Sequence, residues 1–362
     1  MKNKFVIFGI IVLFAILIFV KIEGIKRHDF NSENQSNSDQ RVYAFPTMAV
    51  PAYLNQSADV VQTYSYLVLN NSASFDSMQK NISSVKAVIV DSLSVNKTSL
   101  VSLNPIEQKK AFDFINAQKK PAQIYALVKN YSAGQWQGEQ LAAMLSSKAA
   151  RAEIISETVK YLSENKLTGV SLDFEALPAS AQNNLVLFVS ELHQQLQQNK
   201  FLLSIHVPAN EPNWQYQKLA SSADEIILMD YDQHQSNTEP GPIAAAKWFE
   251  TAIKEIGAMV PKEKLVVGMA SYAYDWSGGI AKGLTYQSAQ ALALKYKAVI
   301  IFDPESQSDY FKYSTGSVQH SVWLADQNSV KAEKTIAQKY GIYSYAVYRF
   351  GSEDQNLWKL LK

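Results

Sequence analysis

The chain has 362 residues, 34 Lys+Arg against 33 Asp+Glu, 47% hydrophobic residues and no cysteine. That length suits one large α/β barrel or two smaller units, and the apolar content excludes a disordered chain. Lack of cysteine excludes disulfides, thiolate metal sites and a Cys nucleophile, and the even charge gives no field for gripping nucleic acid.

Residues Phe5 to Val20 (FVIFGIIVLFAILIFV) carry no charge and lie between Lys2 and Lys4 on one side and Lys21 on the other. At about 1.5 Å per residue a helix here covers about 24 Å, short of a hydrocarbon core of about 30 Å unless the flanking lysines snorkel. A cleaved secretory signal would begin in the same way. The following KIEGIKRHDF offers no small-x-small cleavage site, however, so the expectation is a single-pass membrane anchor over residues 1–27. The lysines on the two sides do not fix its orientation. The short N-terminal tail argues for a body on the extracytoplasmic side. Residues 28–59 begin with the Asn/Ser-rich HDFNSENQSNSDQ and read as a solvated linker followed by a transition.

From Val60 onward β-rich runs alternate with amphipathic stretches, the pattern of a parallel α/β fold. Candidate strands are Gln62–Leu69, Lys86–Leu93, Ala122–Lys129, Gly169–Glu175, Phe201–Val207, Glu225–Tyr231, Leu265–Ala270 and Ile342–Tyr348. The spacing of Ile154, Ile155, Val159 and Leu162 predicts a helix over Ala149–Glu164, and a stripe from Leu185 to Leu196 predicts one over Ala179–Asn199. Eight strands over residues 60–362 predict a (β/α)8 TIM barrel. The long gap before the last strand predicts a small α+β insertion over 271–341.

The most informative segment is Leu167–Pro178, LTGVSLDFEALP. Alternation on a strand sends Val170, Leu172 and Phe174 toward covering helices and Ser171, Asp173 and Glu175 into the barrel. Asp173 and Glu175 stand at the C-terminal rim, where barrel enzymes keep their chemistry. Two inward carboxylates in a shielded site cannot both ionise cheaply, so one becomes a neutral acid able to protonate a glycosidic oxygen. From spacing alone, an acidic strand end paired with Lys or Arg reads equally well.

T-G-V-S-L-D-F-E resembles the D-x-x-D-x-D-x-E signature of glycoside hydrolase family 18, with Thr168 and Ser171 in place of its first two acids. Ile227-Leu-Met-Asp-Tyr-Asp232 is similar to that family's M-x-Y-D motif, and Gly268-Met-Ala-Ser-Tyr-Ala-Tyr-Asp-Trp276 to the G-x-P-x-Y-G-Y-D-W form of peptidoglycan-directed members. Glu239-Pro-Gly-Pro-Ile-Ala and Gly351-Ser-Glu-Asp resemble family-18 domains fused to polysaccharide deacetylases. The resemblance implies a glycosidase that uses the substrate's own 2-acetamido group as nucleophile. It makes Glu175 the acid and base, with Asp173 orienting the acetamide N–H, Tyr231 bonding its carbonyl and Asp232 holding the distorted sugar. Met229 and Ser171 join the substrate-contacting set by motif position.

Sugars present apolar ring faces, so aromatic platforms are expected among Tyr348, Trp276, Tyr272 and Trp214. Tyr348 stands where the family usually has Trp. The implied partner is a polysaccharide containing N-acetylglucosamine, with no cofactor and no metal. His28, His193, His206, His234 and His320 lack metal-ligand spacing. Asp230, Asp232 and His234 alternate at a strand end, a pattern able to ligate a hard cation in another barrel family. The rival to catalysis is a weak or inactive chitinase-like carbohydrate-binding protein, which the loss of acids at Thr168 and Ser171 would allow and the retention of Glu175 opposes.

Overall fold

In the computed structural model, which describes residues 60–209 and 211–362, eight parallel strands form. They are β1 (Gln62–Leu67), β2 (Ala87–Asn96), β3 (Gln123–Lys129), β4 (Gly169–Asp173), β5 (Leu202–Pro208), β6 (Glu225–Met229), β7 (Leu265–Ala270) and β8 (Ser344–Tyr348). Each pairs in parallel with its neighbours in sequence, and β1 pairs with both β2 and β8, so the sheet closes on itself. With helices around it, this is a (β/α)8 barrel. The anchor and linker expected over 1–59 lie outside the described residues. Among the described residues no helix is long and apolar enough to cross a membrane.

The two-residue period divides each strand between two cores. Val88, Val90, Ile124, Ala126, Val170, Leu172, Leu203 and Ile205 belong to the outer core. The helix Lys148–Asn165 contributes Ile154, Ile155 and Leu162 to it, and Gln182–Gln198 contributes Leu185, Phe188, Val189, Leu192 and Leu196. Inside the ring, Tyr64, Tyr66, Ile89, Tyr125, Leu127, Ile227, Val266 and Ala346 fill the interior. At its N-terminal end the buried Glu225 accepts a hydrogen bond from Tyr64 Oη, with Lys86 Nζ 3.4 Å from the same carboxylate. The opposite end stays open.

Three strands stop earlier than the pattern predicts: β1 ends at Leu67 rather than Leu69, and β4 and β6 end early for local reasons. The β4 ladder ends at Asp173 because the amide and carbonyl of Glu175 bond to the Asn130 side chain. The β6 ladder ends at Met229 because the Asp230 amide turns back to the Leu228 carbonyl at 3.0 Å.

Between β7 and β8 the chain builds a five-stranded antiparallel sheet in the order Ile280–Leu284, Ala273–Ser277, Val318–Leu324, Ser308–Thr315, Ile301–Asp303. The helix Tyr286–Tyr296 packs Ala289 and Ala293 against Phe311 and Val322 on one face. The following helix, Gln327–Lys339, puts Val330 and Ala337 into the barrel's outer core. It is therefore part of the ring of helices, and the inserted sheet ends at Leu324 rather than near Gly341.

Candidate active site

At the C-terminal end of the barrel lies a cavity of about 590 Å³, lined by Asp173, Glu175, Met229, Tyr231, Asp232, Tyr272 and Tyr348 among others. Three strand ends bring these side chains together. After β4, Phe174 stays in the outer core against Phe188, which sends its neighbours Asp173 and Glu175 inward. Ala176 then adopts φ +55° and turns the chain away. Asn130, buried just after β3, donates from Nδ2 to the Glu175 carbonyl and accepts at Oδ1 from the Glu175 amide, both at 2.9 Å. Burial, and then the nearby carboxylates of Asp173 and Asp232, push the Glu175 carboxyl up to about 8. That rise favours the protonated form of the acid, held beside other carboxylates.

After β6, Asp230 is buried away from the cavity while Tyr231 faces it, and Asp232 re-enters it through a backbone at φ +62°. Tyr272 Oη donates to Asp232 Oδ1, and Tyr274 Oη does so at 3.4 Å. Burial pushes the Asp232 carboxyl above the usual range, and these two hydroxyls offset part of that rise. Tyr348, last in β8, stacks on Tyr231 with centroids 6.3 Å apart and planes at 29°. Its edge contacts to Tyr66 (5.1 Å) and Tyr272 (6.3 Å) complete a tyrosine floor.

Three expected contacts are placed differently. Trp276 is 2% exposed and does not line the cavity. Its ring packs on Tyr274 at 5.3 Å and its indole N–H donates to the Gln235 carbonyl, so it supports the wall from behind. Ser171 is fully buried beneath the cavity and bonds to Ser204 and His206. Trp214 packs against the outer core, away from the site. The Asp230, Asp232 and His234 alternation does not converge either: His234 Nδ1 bonds to the Pro242 carbonyl and Asp230 points into the protein.

The family model described as "Glycosyl hydrolases family 18" matches residues 50–353. The chain belongs to that family. It is a glycosidase by that membership. Among curated relatives it is similar to the Bacillus subtilis (strain 168) protein described as "Uncharacterized glycosylase YvbX", at 24% identity over 81% of this chain and 88% of that one. Among solved structures it is similar to a chitinase from Chromobacterium violaceum ATCC 12472, with a TM-score of 0.78 and 24% identity over 83% of this chain and 98% of that one. It is also similar to the Bacillus cereus spore cortex-lytic enzyme SleL, with a TM-score of 0.78 and 18% identity over 84% of this chain and 74% of that one.

Several lining residues of this family-18 barrel escape the motif reading. Asp91 and Lys129 form an ion pair at 2.7 Å on the far wall, and Tyr131 and Trp136 meet edge-on at 5.1 Å on the rim. Tyr66 and His206 form part of the floor. Lys129 and His206 sit toward the C-terminal ends of their strands, so strand position alone could have marked them, whereas Asp91 is mid-strand. Asn130 had no signal, because its role is a backbone contact across two strands.

Proposed function

We propose that this family-18 barrel hydrolyses β-linked polysaccharides containing N-acetylglucosamine, with retention of configuration and with the substrate's 2-acetamido carbonyl as nucleophile. Glu175 donates its proton to the glycosidic oxygen as the C–O bond breaks, while the acetamide oxygen closes on the anomeric carbon to form an oxazolinium. Asp173 orients the acetamide N–H and stabilises the positive charge as it develops. Tyr231 bonds the acetamide carbonyl, and Asp232 holds the distorted ring. The Glu175 carboxylate then takes a proton from the water that opens the oxazolinium.

The single observation that carries this reading is the convergence of Asp173, Glu175, Tyr231 and Asp232 on one tyrosine-floored cavity, where burial and the neighbouring carboxylates raise the Glu175 carboxyl. Relatives described as a chitinase and as a spore cortex-lytic enzyme support the polymer class. The apolar run Phe5–Val20 supports an anchored protein whose barrel meets its polymer outside the cytoplasm. Protease treatment of spheroplasts tests that placement, and a protected barrel overturns it.

The test of function is a panel of chitin, peptidoglycan glycan strands and secreted poly-N-acetylglucosamine, with products analysed by mass. At least one polymer should be cleaved, and Glu175→Gln should lower turnover by about 10²- to 10⁴-fold. A Glu175→Gln protein as active as the original overturns the assignment. A second reading, sugar binding with little turnover, draws on Ser171, a serine at a motif position of the family that usually bears an acid. Retention of a polymer on the protein without any product would favour it.

A further inference from the structure

Asp173 has no carboxylate neighbour along its own strand, because Ser171 stands two residues before it. The spot is occupied from β5 instead. His206 is 2% exposed, and its Nδ1 lies 3.5 Å from Asp173 Oδ1. Its other nitrogen, Nε2, faces two hydroxyls, Ser171 Oγ at 2.9 Å and Tyr66 Oη at 3.4 Å. Ser204 Oγ donates to Ser171 Oγ at 2.7 Å, which leaves the Ser171 proton free to point at His206. Nε2 is thus surrounded by donors, whereas Nδ1 faces an oxygen that can only accept when ionised. The hydrogen-bond network therefore puts the ring proton on Nδ1. Asp173 Oδ1 is otherwise buried without a hydrogen-bond partner. The polar group it faces across the strands is His206 Nδ1, at 3.5 Å.

We infer that His206, locked by Ser204, Ser171 and Tyr66, is the positioning residue for Asp173, doing from β5 what no acid at residue 171 does in this chain. The inference rests on the role proposed for Asp173. His206 is 2% exposed beneath the cavity, and the role inferred for it runs through the Asp173 carboxylate. It sets the direction of the carboxylate that meets the acetamide N–H, so its loss falls on the transition state more than on substrate binding.

The test has two arms. In the first, His206→Ala is compared with the unaltered protein and with Glu175→Gln on the polymer that is cleaved fastest, with folding checked by circular dichroism and melting. A folded His206→Ala protein should lose kcat by about 100-fold while KM stays within about threefold. Unchanged kcat, or a rise in KM matching the fall in kcat, overturns the inference. In the second, long-range ¹H–¹⁵N correlation spectra of the unaltered protein labelled at histidine read the His206 tautomer directly. A neutral ring protonated at Nδ1 supports the pair; protonation at Nε2 alone overturns it. The spectra need neither turnover nor a folded variant, so failure of the His206–Asp173 pair is distinguishable from failure of the glycosidase reading.

Discussion

Asn130 grips Glu175 by its main chain at both the amide and the carbonyl, so the Glu175 side chain hangs from a fixed peptide rather than a free loop. Both ends of the Asn130 amide are used, and the residue is 1% exposed. Asn130→Ala should therefore cost about 1–2 kcal/mol of stability by leaving part-buried backbone groups unpaired. It should also lower kcat by about 10- to 100-fold, because Glu175 loses its fixed position. Thermal melting and steady-state kinetics measure the two effects separately, and unchanged kcat in a folded variant would remove the positioning role.

The turn beyond Glu175 is seated on a glycine. A Cβ on residue 138 would lie 1.8 Å from the Ala176 carbonyl oxygen, a distance no small adjustment relieves. Gly138→Ala should push the Ala176 turn outward, cost about 1–3 kcal/mol and reduce activity. A melting temperature equal to that of the original protein would show that the turn yields freely.

The acid role proposed for Glu175 sets an alkaline limit. Its carboxyl holds its proton up to about pH 8, so kcat should fall as pH rises through that value. Asp232 is one of the carboxylates that raise it. Asp232→Asn removes that charge and should move the alkaline limb to lower pH, besides lowering the rate. A pH–rate profile whose alkaline limb is unmoved by the substitution would contradict the coupling.

A second acidic group behind the site bears on stability. Glu333 is 2% exposed with neither carboxylate oxygen hydrogen-bonded, and burial followed by the charge of Asp326 pushes it up to about 8. Its folded value lies above its unfolded one, so the folded state binds more protons between the two. The associated stability is present below about pH 4.5 and is lost as pH rises through about 8. Glu333→Gln keeps the shape and removes the ionisation. It should raise the melting temperature at pH 9 relative to the original protein and change it little at pH 5. Equal melting temperatures at pH 9 would show that Glu333 relaxes its environment when charged.

The positions of the strands and the inward aim of Asp173 and Glu175 were legible because they depend on local alternation. Val170, Leu172 and Phe174 must be covered, and a period of two then leaves their neighbours no other side. The M-x-Y-D and G-x-P-x-Y-G-Y-D-W resemblances likewise marked Tyr231, Asp232 and Tyr272, which line the cavity. Trp276 misled for the same reason: its motif position says nothing about whether its ring reaches the cavity, and here the ring is buried against Tyr274 instead.

By itself the sequence determined that a closed barrel would form and which strand end would hold the acids, since periodicity and hydrophobic burial are properties of short segments. Only the tertiary structure decided what those acids feel. The value of about 8 for Glu175 comes from burial and from carboxylates on β4 and after β6. Its fixed backbone comes from Asn130 beyond β3, and the partner of Asp173 comes from β5. Electrostatic environment depends on distances through space, and these are set when the eight strands close, not by any one of them.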